Sequence, residues 1–232
     1  MAGTEDGGGG SFLSYESVEP FIDQCWEPRS FWLRRPRPVG ERFLVVRGDR
    51  GLRSPPSAPG RIPILLEVRH AFGSGGHGST EGCIVALEKV VEGGERVLDL
   101  GTGSGILAIA ARKLGASHIT AVDIRESACR EARGNLLLNG IREGVQVLHG
   151  GIESAEGRFD IVLANLRTPI LVDLMGKITG KMLDGRILVL SGILESEFHS
   201  FRFFLERYPL TLLETIAAGG WMTLVSRRTG GG

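Results

Sequence analysis

The stretch from Arg96 to Asp123, RVLDLGTGSGILAIAARKLGASHITAVD, constrains the fold more than any other part of the chain. Val97 and Leu98 lead into Asp99, and Gly101, Gly103 and Gly105 then stand at every second position. Glycine at that density permits a tight turn and lets the backbone approach a ligand that a Cβ would hold off. Ile106 to Leu114 reads as a helix packed on a sheet, with Gly115 placed to end it, and Ile119, Ala121 and Val122 read as a second buried strand. Strand, glycine turn, helix and strand make a βαβ unit, and open sheets built from such units bind ligands at the carboxyl ends of their strands.

The spacing narrows the ligand. In the dinucleotide fingerprint G-x-G-x-x-G a phosphate rests on the helix N-terminus. Here the third glycine, Gly105, comes one residue early and Ile106 stands where that fingerprint needs glycine, so a nicotinamide oxidoreductase is the weakest reading. The string D-x-G-x-G-x-G, with an acid at Asp99, resembles the first motif of the seven-stranded S-adenosylmethionine-dependent methyltransferases. That resemblance implies a turn lying beneath the methionine part of the cofactor and a ribose held at both hydroxyls by Asp123. A carboxylate accepting hydroxyl protons makes charge-assisted bonds worth about 1.5–3 kcal/mol each. The alternative for Asp123 is a cap on the following helix.

At 232 residues the chain has room for one sizeable α/β domain with modest appendages. Twenty-seven basic residues balance 27 acidic ones, which removes any global electrostatic case for nucleic acid or an anionic membrane. Cys25, Cys83 and Cys129 are scattered, which argues against a disulfide framework or a zinc site and fits a reducing compartment. No apolar run approaches the ~20 residues needed to span a bilayer. The expectation is a cytoplasmic, monomeric protein with no metal and no membrane association.

Along the chain, residues 1–11 read as a disordered glycine-rich tail. Residues 12–51 read as a small N-terminal module with a strand at Phe43–Val46, in which Trp26, Phe31 and Trp32 are interleaved with Arg29, Arg34, Arg35, Arg37 and Arg42. Such a cluster suits contact with a macromolecule, a nucleic-acid surface being the less favoured form of it. Four prolines within residues 52–63 mark a linker. The main domain, 64–228, opens with a strand at Ile64–Val68 and continues with a helix capped by Ser79 or Thr80. Further strands are expected at Val145–Leu148, Phe159–Ala164 and Ile187–Leu190, the last entered by a turn at Gly185. Helices are expected at Ser127–Asn139, from Pro169 onward, and at Glu195–Tyr208. Leu210–Ile216 and Trp221–Ser226, joined through Gly219 and Gly220, finish an alternating βα pattern with a hairpin at a sheet edge. The fold class is α/β: a doubly wound, mostly parallel seven-stranded sheet with a C-terminal antiparallel hairpin and a small N-terminal module.

Ahead of the glycine motif stands AFGSGGHGST, Ala71 to Thr80. With it, and with NLLLNG at Asn135–Gly140, LAN at Leu163–Asn165, SGIL at Ser191–Leu194 and the closing GGW…LVSRR, residues 64–228 resemble the PrmA family. That family methylates amino groups of the large-subunit ribosomal protein L-eleven. The resemblance implies S-adenosyl-L-methionine as cofactor and a protein as acceptor. It places Thr80, Gly101, Asp123 and Asn165 against the cofactor, with Phe72, Asp99, Gly103 and Ile124 lining or supporting its pocket. Asn165 is also the candidate for orienting the acceptor amine. Read from the residues alone, Thr80 could be a helix cap, Asn165 a tie for its turn, and His77 a residue that orders its loop.

Three departures from the family pattern bear on substrate and activity. The family's His-Pro-Thr-Thr is His77-Gly78-Ser79-Thr80 here. Gly150-Gly151 stands where methyltransferases often present an acid to the adenine amine, leaving Glu153 or a backbone group to serve. Leu166-Arg167 replaces Ile-Leu, with Arg167 expected on the substrate side. Two other readings stay open: a methyltransferase for another protein lysine or a small molecule, and a cofactor-binding assembly protein without turnover.

Overall fold

The computed structural model describes residues 36–47, 60–67, 73 and 75–230. Phe72, Cys25 and most of the expected arginine–aromatic module lie outside them. The strands are β1 (Arg37–Val39), β2 (Phe43–Arg47), β3 (Ile62–Leu66), β4 (Arg96–Leu100), β5 (His118–Asp123), β6 (Val145–His149), β7 (Phe159–Asn165), β8 (Met182–Leu194), β9 (Leu210–Ala218) and β10 (Trp221–Arg228). The helices are α1 (Gly78–Val90), α2 (Ile106–Leu114), α3 (Glu126–Leu138), α4 (Thr168–Gly180) and α5 (Phe198–Leu205).

Seven strands form one sheet in the order β6-β5-β4-β7-β8-β10-β9. Its first five strands run parallel, while β10 lies antiparallel between β8 and β9. The chain moves outward from β4 through β5 to β6, then returns to β7 on the other side, so β4 and β7 flank the switch point where a ligand crevice opens. Neighbouring residues in each strand serve opposite faces. Val97, Ile161, Leu163 and Val189 join one buried cluster with α1, α2 and α3, while Leu98, Val162, Ala164 and Leu190 join a second with α4 and α5.

A second sheet, β1-β2-β3, pairs β1 with β2 antiparallel and β2 with β3 parallel, Phe43 opposite Ile62 through Arg47 opposite Leu66. Val39, Phe43, Val45, Ile64 and Leu66 share the first cluster with α1 and α2. Burying a side chain such as Phe43 stabilises by about 1.5–3 kcal/mol. β3 thus begins at Ile62, inside the stretch expected as linker, and its partner β2 comes from the stretch expected as a separate module. Glu88 of α1 fixes the β1–β2 turn by accepting from Glu41 N and Arg42 N, each at 2.9 Å.

Three local expectations shift. β8 runs straight through Gly185, because an irregularity between Phe159 and Ile161 absorbs the left-handed glycine inside the strand. The expected Glu195–Tyr208 helix divides into a 3₁₀ turn at Glu195–Glu197 and α5. Finally, α1 is capped by neither Ser79 nor Thr80 but by His77, whose Nδ1 lies 3.4 Å from Ser79 N and 2.8 Å from Ser79 Oγ.

Candidate active site

The glycine turn closes by bonds made within its own βαβ unit. Gly101 N and Thr102 N donate to Val122 O at 2.8 and 3.0 Å, docking the turn on β5. Asp123, buried at the end of β5, accepts Gly103 N at 3.0 Å and Arg125 N at 2.9 Å. Both readings of Asp123 therefore meet in one carboxylate: it ties down the next helix start, and two of its roughly four lone-pair sites stay open. Gly105 sits at φ +82°, and a Cβ there would stand 3.1 Å from Ala132 Cβ, so the third glycine serves the close packing of α2 on α3.

Asp99 is 1% exposed, with Oδ2 accepting from Thr102 Oγ1 at 2.6 Å. Its Oδ1 has no hydrogen-bond partner among the described residues. Burial raises its pKa from 3.8 to about 6; the Thr102 hydroxyl opposes the rise and the Asp123 charge adds to it.

The other side of the site comes from distant segments. Thr80, the third residue of α1, is fully buried and its Oγ1 has no partner among the described residues. With His77 serving as cap, the Thr80 hydroxyl is not used to cap the helix. Asn165 ends β7 beside Ser191 of β8, and its Oδ1 is likewise buried without a partner among the described residues. It does not tie its turn through that oxygen. The Leu166 side chain covers Gly101, where a Cβ would come within 2.5 Å of Leu166 Cδ2. Ile124 is 45% exposed beside Asp123. Arg167 is exposed at the N-cap of α4.

Gly78 has a steric reason. A Cβ on it would stand 2.1 Å from Ala218 O and 3.2 Å from Gly219 Cα, both in the β9–β10 turn. The adjacent His77 ring lies 4.5 Å from the Trp221 ring at 51°. The hairpin thus presses directly on the start of α1.

Sequence reasoning left three further residues without a role. Asn139 pairs its carboxamide with Leu65 N and Leu65 O at 3.0 and 2.7 Å, standing in for a strand beside β3. Asn135 accepts Glu67 N at 2.8 Å and donates to Ser104 O at 2.8 Å. Ser104 Oγ donates to Gly73 O at 2.6 Å, and Arg37 Nη1 donates to Gly76 O at 2.7 Å, so the loop ahead of α1 is held from both sides. Arg37 also pairs with Glu81 at 2.8 Å. The repeated asparagines of NLLLNG, four apart on one helix face, were the available signal.

Glu153, the expected substitute at the adenine position, is exposed and paired with Lys177 at 2.5 Å. An open groove of about 540 Å³ between the loop before β7 and the end of α4 is lined in part by this Glu153–Lys177 pair and includes neither the glycine turn nor Thr80, Asp123 or Asn165. Among the described residues no His, Cys, Asp or Glu cluster could hold a metal ion, and no helix is long and apolar enough to cross a membrane.

A glycine turn, an acid at the next strand end and buried polar atoms at Thr80 and Asn165 without a partner among the described residues are the features of a doubly wound ligand-binding domain. Residues 13–229 match the family described as Ribosomal protein L11 methyltransferase (PrmA), and the chain belongs to that family. It is 38% identical over 199 residues to the ribosomal protein L11 methyltransferase of Pelotomaculum thermopropionicum, covering 84% of this chain and 64% of that protein. The protein of the same name from Pelobacter propionicus is 39% identical over 199 residues, 84% of this chain and 63% of its own. The chain thus spans just under two thirds of the length of these relatives. The crystal structure of the ribosomal protein L11 methylase from Lactobacillus delbrueckii subsp. bulgaricus matches with a TM-score of 0.77 at 27% identity, over 84% of this chain and 100% of that one.

Proposed function

We propose that this protein transfers a methyl group from S-adenosyl-L-methionine to an amino group of a large-subunit ribosomal protein of the L11 type. The observation that carries the reading is the pair of buried polar atoms without a partner among the described residues, Thr80 Oγ1 in the first turn of α1 and Asn165 Oδ1 at the end of β7. Buried polar groups without partners cost about 1–3 kcal/mol each, so their survival in the fold points to a ligand that satisfies them.

The residues present fit the cofactor. Asp123 keeps acceptor capacity for the ribose hydroxyls, and the turn at Gly101 and Gly103, supported by Asp99, underlies the methionine part. Ile124 offers an exposed apolar face to the adenine. With Glu153 engaged by Lys177, the adenine amine is left to backbone groups near Gly150 and Gly151. The cofactor supplies an activated methyl on a sulfonium. The protein's part is alignment and exclusion of water. Asn165 Oδ1 would accept an N–H of the acceptor amine and so hold its lone pair toward the activated methyl, and the proton that the methylated amine sheds would pass to water. A lysine near pKa 10.4 is neutral in only about one molecule in two thousand at pH 7, whereas an α-amine near 8 is far more available.

The test is transfer of labelled methyl from S-adenosylmethionine into an unmethylated extract, followed by separation of its proteins. One labelled band at the ribosomal protein is expected. A band elsewhere replaces the substrate, label only in small molecules moves the reaction off proteins, and binding without transfer leaves a cofactor-binding protein.

A further inference from the structure

Two motifs singled out in the sequence, SGIL and the closing hairpin, have no part in the chemistry assigned above, yet the segments that carry Thr80 and Asn165 both meet on them. Ser191 is fully buried. Its Oγ lies 2.7 Å from Thr223 Oγ1, 3.2 Å from Ser79 O and 3.3 Å from Met222 O. A serine hydroxyl has one proton and two lone pairs, so Ser191 can donate to only one of these carbonyls at a time. When Thr223 donates to Ser191, the Ser191 proton is free for Ser79 O, the nearer of the two. Ser79 immediately precedes Thr80 in the first turn of α1. On the other side, Ser191 O accepts Leu166 N at 3.0 Å, and Ser191 stands opposite Asn165 in the β7–β8 register. At the neighbouring Gly192, φ +84°, a Cβ would come within 2.3 Å of Leu166 O, so glycine is what lets residues 165 and 166 approach so closely.

We infer that Ser191, backed by the Thr223 hydroxyl, is a positioning residue that sets the Thr80 hydroxyl against the Asn165 carboxamide and so aligns cofactor with acceptor amine. This rests on the methyltransferase reading above. Ser191 acts through its two neighbours: it fixes the start of α1 by its side chain and the end of β7 by its backbone. A role in packing alone would lower stability and leave alignment untouched. A positioning role lowers binding and turnover even where the fold survives, since a misplacement of about 1 Å can cost ~100-fold in rate.

The experiment compares Ser191→Ala, Thr223→Val and Thr223→Ser in the full chain. It measures S-adenosylhomocysteine affinity by calorimetry, kcat and KM for the unmethylated ribosomal protein, and the thermal midpoint. Loss of one buried hydrogen bond to the site should weaken the calorimetric affinity about 5–10-fold in Ser191→Ala and Thr223→Val. Their kcat should fall about 10–100-fold with little change in the acceptor KM. Thr223→Ser keeps the hydroxyl and should recover both to within about twofold. A folded Ser191→Ala with unaltered affinity and kcat overturns the inference. So does a Thr223→Ser variant as impaired as Thr223→Val, which would assign the loss to packing. Where Ser191→Ala does not fold, the two Thr223 variants decide by the same criteria. Failure of the unaltered chain to bind S-adenosylhomocysteine overturns the methyltransferase reading and this inference together; normal binding that no variant disturbs overturns this inference alone.

Discussion

The two sides of the site are held by different kinds of contact. On one side the glycine turn is closed by bonds among residues 99 to 125, all within one βαβ unit. On the other, the segments that carry Thr80 and Asn165 are held by residues 37, 73, 104, 191–192 and 218–223. A local side folds with its own strands and helix. A side assembled from far apart in the chain depends on every element that presses on it.

The largest expected contrast comes from Asp123→Ala against Asn165→Ala. Asp123→Ala removes the acceptor for Gly103 N and Arg125 N as well as the proposed acceptor for the ribose, and should weaken cofactor affinity about 100-fold or more in calorimetry. Asn165→Ala should lower kcat by about 100-fold while changing cofactor affinity far less. Equal losses in both quantities for both variants would erase the distinction between a side that binds and a side that aligns.

Asp99 sharpens the comparison through pH. Its native pKa of about 6 lies above the ordinary 3.8, so its favourable contribution is fully present below pH 3.8 and is lost as pH rises through 6. Above that, a buried charge stays inside the local side of the site at a cost of up to about 3 kcal/mol. Asp99→Asn should therefore raise the thermal midpoint by several degrees at pH 8, and the gain should shrink as pH falls toward 5. A gain independent of pH would remove the charge from the explanation.

Gly78→Ala tests the assembled side. Its methyl must displace the backbone of the β9–β10 turn, which should cost about 1–3 kcal/mol and lower the thermal midpoint. An unchanged midpoint would mean that the hairpin does not bear on α1. Arg37→Ala, the smallest effect, removes a half-exposed ion pair worth about 0–1 kcal/mol. Through Gly76 it should nonetheless raise the cofactor KM about threefold, the equivalent of about 0.65 kcal/mol; an unchanged KM would detach β1 from the site.

The same division governs what the sequence discloses. The glycine spacing, the acid at Asp123 and the apolar runs of β4 to β7 all act over short separations, and their elements were placed to within a residue or two, whereas β8, expected at Ile187–Leu190, extends four or five residues further at each end. The cap at His77 was missed because a ring nitrogen took the place usually filled by a hydroxyl. β3 was placed two residues late because Pro63 sits near its start, where a parallel edge tolerates a missing N–H. The turn at Gly185 became part of a strand because β7 offered a partner on both sides of it. Ser191 entered only through the SGIL resemblance and Thr223 carries no local signal: a buried hydroxyl in an apolar run acquires a role only from what folds against it.

The position of β10 has a consequence for how the molecule comes into being. The strand at Trp221–Arg228 is not the rim of the sheet but lies inside it, between β8 and β9. During synthesis, a chain that has reached β8 presents an open, apolar edge with no neighbour. The start of α1 cannot receive its support until the ribosome has moved some 140 residues beyond it. The glycine turn can form early, but the aligned site is a property of the nearly finished polypeptide, so a chain interrupted before Leu210 would carry the cofactor motif without the means to use it.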